Sequence, residues 1–143
     1  MIKNFQKIHF LSMLDIISLN TPIYFDTSEK KLFEKYLENR NENYFIIEIN
    51  KKIIGGGGFD IEKDHSASMS WGMIHPKWHR KGWGSKLVQY RIKEIKKTNT
   101  QKINLRTSQK TWKFYKKMGF SLFQTQKNYW GEGLDLYDMK LAL

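Results

Sequence analysis

The stretch from Ile74 to Leu87 constrains the fold of this chain more than any other. It reads Ile-His-Pro-Lys-Trp-His-Arg-Lys-Gly-Trp-Gly-Ser-Lys-Leu. The spacing predicts a strand over Ser66–Ile74 before it and a helix over Gly82–Lys97 after it, with Val88, Ile92 and Ile95 on one helical face. A short basic loop and two glycines one residue apart join the two elements. A helix N-terminus offers N–H groups without intrahelical partners and a partial positive charge. Glycines let a ligand approach the backbone closely, and Arg80 and Lys81 add net charge. In physical terms this is a phosphate site. It is not a P-loop, whose second glycine is followed by Lys and Ser/Thr. The other glycine cluster, Gly55–Gly58, continues into Phe59-Asp60, and no G-x-G-x-x-G occurs. Those four glycines read as strand backbone that something approaches closely, as a bulge, or as a pliable strand end under a helix.

The remaining elements follow from periodicity. The first forty residues read as helical, with Leu11, Leu14, Ile16 and Ile17 on one face and a break at Asn20-Thr21-Pro22. A second helix begins at Asp26-Thr27-Ser28-Glu29, with Leu32, Phe33, Tyr36 and Leu37 recurring at helical spacing. Tyr44–Ile49 is rich in β-branched and aromatic residues. A turn at Asn50-Lys51-Lys52 and a second strand from Ile53 complete a hairpin. Further on come a strand at 103–107, a helix at 110–118 closed by Gly119, and strands at 120–126 and 134–141. This order predicts a mixed α/β fold, one sheet with helices packed on it, in a single domain over residues 1–143.

Charge is concentrated in one segment. The chain carries +11 overall, and the segment from Lys77 to Lys117 alone has fourteen Lys/Arg against one acid, Glu94. An anionic partner is expected there: nucleic acid, a small polyphosphate ligand, or only water on a Lys-rich face. The absence of cysteine excludes disulfides, thiolate zinc sites and a cysteine nucleophile. The four histidines form no metal motif, so no metal is expected, and there is no G-x-S-x-G. Apolar runs are too short for a membrane helix, and no apolar stretch follows the first charged residues. The expectation is a cytoplasmic protein with no membrane partner.

His79-Arg80-Lys81-Gly82-Trp83-Gly84, set after a strand and before a helix, resembles the acyl-CoA loop of the GNAT superfamily of N-acetyltransferases. The family pattern is Gln/Arg-x-x-Gly-x-Gly/Ala, so His79 departs from it at the first position, and Trp83 is larger than the usual small aliphatic. Ile74-His75-Pro76 matches the apolar-x-Pro that often precedes the loop. Phe114-Tyr115-Lys116-Lys117-Met118-Gly119-Phe120 resembles a second family feature, a helix ending in Tyr-x-x-aliphatic-Gly-Phe. The likeness runs over roughly Tyr44–Leu143, and only Ile2–Lys7 is available as the family's first strand.

The resemblance implies a central, mostly antiparallel twisted sheet, splayed between the strand at 66–74 and the strand at 103–107 and flanked by helices. It implies acetyl-CoA as co-substrate and an amine, small molecule or peptide, attacking the thioester directly. His79, Arg80, Lys81, Gly82, Trp83, Gly84 and Ser85 would hold the pyrophosphate. Gly72, Met73 and Ile74 would meet the pantetheine arm and offer an N–H to the oxyanion, with a bulge at Gly72 opening the sheet. Ser108 would contact the cofactor, and Tyr115 would protonate the departing thiolate. Candidates for the base are Asp60, Glu62, His65, His75, Asp135 and Asp138. Glu132, Asp135 and Asp138 are candidates for attracting a cationic substrate, and Trp71, Tyr129 and Trp130 for walling the acceptor pocket. A homodimer fits the family's habits. Two alternatives stay open: a nucleic-acid-binding domain, for which no recognition motif is found, and an acyl-CoA-binding fold without catalysis.

Overall fold

The structure is a computed structural model that describes residues 1–40 and 42–143. Asn50 and Lys51 both take left-handed backbone angles, φ 49° and 66°, as a two-residue hairpin turn requires. They join β2 (Tyr44–Ile49) to β3 (Lys52–Ile61), so Lys52 pairs with Ile49 and belongs to the strand, not to the turn. β1 (Ile2–Asn4) adds to the outer edge of β2, shorter than the Ile2–Lys7 available to it. β4 (Ala67–Ile74), β5 (Lys102–Thr107), β6 (Ser121–Gly131) and β7 (Leu134–Ala142) complete a sheet of order β1-β2-β3-β4-β5-β7-β6. Every neighbouring pair is antiparallel except β4 and β5, which run parallel.

Helices cover both faces. α1 (Phe10–Leu19) and α2 (Glu29–Glu38) pack Met13, Ile16, Ile17, Phe33 and Leu37 against Tyr44 and Ile46. Leu11 and Leu32 point away instead, 72% and 57% exposed, because each lies off the stripe that meets the sheet. On the opposite face α3 (Trp83–Lys96) buries Val88 and Ile95 against Met69, Ile103 and Leu105. α4 (Trp112–Lys117) is shorter than its sequence pattern suggested and ends before Gly119, φ 103°.

The four glycines lie inside β3 and are buried, and close approach by neighbours is the physical reason for them. A side chain at Gly56 would meet Met13 of α1, and one at Gly57 would meet Arg91 of α3, so helices on the two faces come closer than any other residue allows. A Cβ at Gly58 would sit 2.5 Å from the Asn43 carbonyl oxygen and 2.7 Å from the Tyr44 ring. Gly58→Val is therefore expected to destabilise the fold by about 1–3 kcal/mol or more, read as a fall in melting temperature. An unchanged melting temperature would show that β3 has room to give.

The sheet opens between β4 and β5. Their ladder holds only Ala67↔Ile103, Ser68↔Asn104 and Met69↔Leu105, after which the strands part. The cause lies one strand away: Gly56 faces Met73 and Gly58 faces Ser70, so Trp71 and Gly72 together oppose Gly57. This is a β-bulge, which bends the strand that carries it. The left-handed residue of the bulge is Trp71, φ 52°, and not Gly72.

Candidate active site

The loop after β4 is folded by its own residues. Pro76–Trp78 form a 3-10 turn capped by His75, whose Nδ1 accepts the Lys77 N–H at 3.1 Å. His79 Nε2 donates to the Ile74 carbonyl at 2.7 Å and draws the loop back onto the strand end. Asn20, at the end of α1, donates to that same carbonyl at 3.0 Å, which ties α1 to the tip of β4. Arg80 and Gly82 take left-handed angles, φ 61° and 85°, and turn the chain into α3. No side chain caps this helix, and its first i→i−4 bond is made by Lys86 to the Gly82 oxygen. The N–H groups of Trp83, Gly84 and Ser85 therefore precede the hydrogen-bonded turns and carry the positive end of the helix dipole.

This helix end opens onto a single cavity of about 850 Å³ that enters the gap between β4 and β5. Gly72, Met73 and Ile74 form one wall and Ser108, Thr111, Phe114 and Tyr115 the other. His79, Arg80, Gly82, Gly84 and Ser85 line it on the side of the loop and helix start. From Ser70 onward β4 pairs only with β3, so its opposite edge is free along the cavity. Backbone donors and acceptors on that edge, the helix end and Arg80 fit a long ligand with an amide-bearing arm and phosphates at one end. Ser108 is buried, and its carbonyl accepts the N–H groups of Thr111 and Trp112, which starts α4. Tyr115 packs its ring edge-on against Phe114 and Phe120 at 5.0 and 5.9 Å. Among the described residues its hydroxyl has no hydrogen-bond partner.

Two of the residues singled out at the loop do not face the cavity. Lys81 lies over the Trp78 ring at 5.3 Å in solvent. Trp83 packs beside Ile47, Ile54 and Leu87 under Lys86, because the first turn of α3 places it on the side away from the gap. The basic segment divides in the same way. Of its fourteen cations, Arg80, Arg91, Arg106 and Lys110 line the cavity.

The candidates for the base, and Glu132 as a candidate for attracting a cationic substrate, are scattered. Asp60 is paired with Arg40 at 2.8 Å, Asp135 accepts the Asn128 N–H in the β6–β7 hairpin, and Asp138 accepts from Gln124. Glu62, His65 and Glu132 are exposed in turns, and His75 is used as a cap. None of these lines the cavity. The carboxylate that does is Glu29, the first residue of α2, 7% exposed. Burial pushes its carboxyl up to about 7, the Asp26 N–H bonded to it at 2.8 Å opposes this, and the Asp26 charge adds to it. Asp26 itself is held low by the hydroxyl and N–H of Ser28, so it stays charged. The sequence signal for Glu29 was the Asp-x-x-Glu pattern of a helix start, which announces a cap and not a cavity. Tyr24, Phe25, Trp71 and Trp130 also line the cavity, while Tyr129 is not among its lining and stands against Arg106, 5.8 Å from ring to guanidinium.

The profile described as "Acetyltransferase (GNAT) family" matches residues 10–120. No curated protein sequence matches the chain. Among solved structures, Ard1 from Thermoplasma volcanium superposes with a TM-score of 0.86 at 18% identity, covering 100% of this chain and 97% of that one. The ribosomal-protein-S18-alanine N-acetyltransferase from Escherichia coli gives 0.81 at 19%, covering 99% and 92%. The protein yncA from Salmonella typhimurium, solved with its cofactor acetyl-CoA, gives 0.77 at 17%, covering 100% and 93%. At these identities the likeness is one of fold. Among the described residues no helix is long and apolar enough to cross a membrane.

Proposed function

Because the chain belongs to the acetyltransferase (GNAT) family, we propose that it transfers an acetyl group from acetyl-CoA to a primary amine held in the same cavity, with Tyr115 as general acid and Glu29 as general base. Family membership makes it an acyl-CoA-dependent N-acetyltransferase. The roles given to individual residues rest on one observation. One cavity is lined by an uncapped helix end, a free strand edge, Tyr115 and the buried carboxyl of Glu29.

Bound acetyl-CoA supplies an activated carbonyl carbon and a thiolate leaving group. The N–H groups of Gly84 and Ser85 and the Arg80 guanidinium hold the pyrophosphate. The edge of Gly72–Ile74 that faces away from β3 pairs with the pantetheine amides and offers an N–H where negative charge builds on the carbonyl oxygen. Glu29 takes a proton from the amine, directly or through one water. Tyr115 gives a proton to the thiolate. The aromatic side chains of the lining, Tyr24, Phe25, Trp71 and Trp130, suit an amine carried on an apolar body, in a small molecule or at a peptide end. A single carboxylate among four cations gives a polycationic acceptor little to hold.

Calorimetric titration with acetyl-CoA in moderate salt tests this reading, since loose charge attraction is then screened. One-to-one saturation is expected, weakened by about 10-fold or more in Arg80→Glu and in Gly84→Leu, whose side chain would crowd Phe114, another lining residue. An affinity unchanged in both variants would place the donor elsewhere.

A further inference from the structure

We propose that Arg91 makes the inner end of this cavity an anion site, whose charge favours the negative oxygen that develops on the acyl carbonyl. The inference rests on the reading of the cavity as an acyl-CoA site. Arg91 projects from α3 toward the sheet and is 1% exposed. Among the described residues no carboxylate pairs with it. Its Nη1 donates to the Gly58 carbonyl at 3.2 Å, and its Nε has no partner. A buried cation without a counter-charge is costly, and an apolar side chain of similar length would fill the space without that cost. One hydrogen bond to a strand carbonyl does not account for keeping a full charge there.

The sheet is shaped around this guanidinium. A Cβ at Gly57 would lie 2.9 Å from Cζ, and one at Gly72 would lie 3.0 Å from Nη2. Gly72 belongs to the bulge at which β4 leaves β5, and Leu87, Val88 and Arg91 together line the α3 side of the cavity there. Arg91 stands about two and a half helical turns along α3 from Gly82, and its guanidinium reaches the bulge at Gly72, where the edge of β4 is free of β5. A ligand whose phosphates meet Gly82–Ser85 and whose arm follows that free edge passes beside it. In a site closed to water a fixed charge acts far more strongly than it would at the surface.

A pair of isosteric, unreactive analogues tests the idea without an acceptor. S-carboxymethyl-CoA carries a carboxylate at the acyl position, and S-carbamoylmethyl-CoA carries a neutral amide of the same shape. The protein is expected to bind the carboxylate about 10-fold or more tighter than the amide, the worth of one charged hydrogen bond. Arg91→Met should abolish that preference while leaving unmodified CoA bound, and Arg91→Lys should restore part of it. Equal binding of the two analogues by the unaltered protein would overturn the proposal, and that comparison needs no variant to fold. A preference that survives in Arg91→Met would also overturn it. Failure to bind CoA at all would remove the donor reading, and this inference with it.

Discussion

Tyr115→Phe is expected to lower the turnover of acetyl transfer by about 10²–10⁴-fold, while the affinity for acetyl-CoA and the melting temperature stay close to those of the unaltered chain. The packing explains why the effect should fall on chemistry alone. The Tyr115 ring is held edge-on by Phe114 and Phe120, and its backbone carbonyl accepts the N–H groups of Met118 and Phe120 that close α4. Phenylalanine keeps every one of those contacts. It loses only the hydroxyl, which has no partner among the described residues, from a side chain that lines the cavity. The assay uses the amine with the highest turnover in an acceptor screen, and calorimetry with acetyl-CoA is run beside it. Full turnover in the variant would assign the thiolate proton to another donor, such as water. A fall in melting temperature with a weakened donor affinity would make Tyr115 a packing residue.

Local chemistry was legible in the chain, and long-range burial was not. The strand, basic loop and helix from Ile74 to Lys97 follow from side chains a few residues apart. Glycines at the turn, the helical face of Val88 and Ile95, and Pro76 after the strand end all act within a turn or two of themselves. The opening of the sheet was half legible. Gly72 marks the bulge, but the left-handed residue is Trp71, because the extra residue is fixed by how Gly57 on β3 faces the pair. The length of β6 depends on its pairing with β7 and on the α1–α2 loop, where a Cβ at Gly131 would collide with the Asp26 carboxylate. Arg91 counted as one of fourteen basic residues until the fold placed it under two glycines from different strands. Glu29 counted as a helix cap until the loop before it folded over Trp71, which stacks on Phe25 at 6.1 Å. Both groups owe their burial to residues far away in the chain, and no window of sequence contains that information.

Glu29→Gln should make the protein more stable and less active at the same time. Glutamine keeps the shape and can still accept the Asp26 N–H, but it neither charges nor takes a proton. Burial raises the folded-state pKa of Glu29 from 4.5 to about 7. The folded chain therefore binds more protons than the unfolded chain between those two values, and its stability falls as pH rises through that window. Above about pH 7 the full cost of a buried charge is present, on the order of 1–3 kcal/mol. The variant should melt higher than the unaltered chain at pH 8, and the gap should close as pH falls toward 4.5. Turnover should move the opposite way, down by about 10²–10⁴-fold if Glu29 is the base. In the unaltered chain kcat/KM should rise with pH through a limb near 7, as the carboxyl ionises, and that limb should vanish in Glu29→Gln. The two measurements separate two ideas. A stability gain with full activity would make Glu29 a buried carboxyl with no part in proton transfer. No stability gain at pH 8 would mean that the carboxyl is not raised at all, and the base would then have to be sought through water from outside the cavity. Both results together, the gain and the loss, are what a group kept at a structural cost for its chemistry must show.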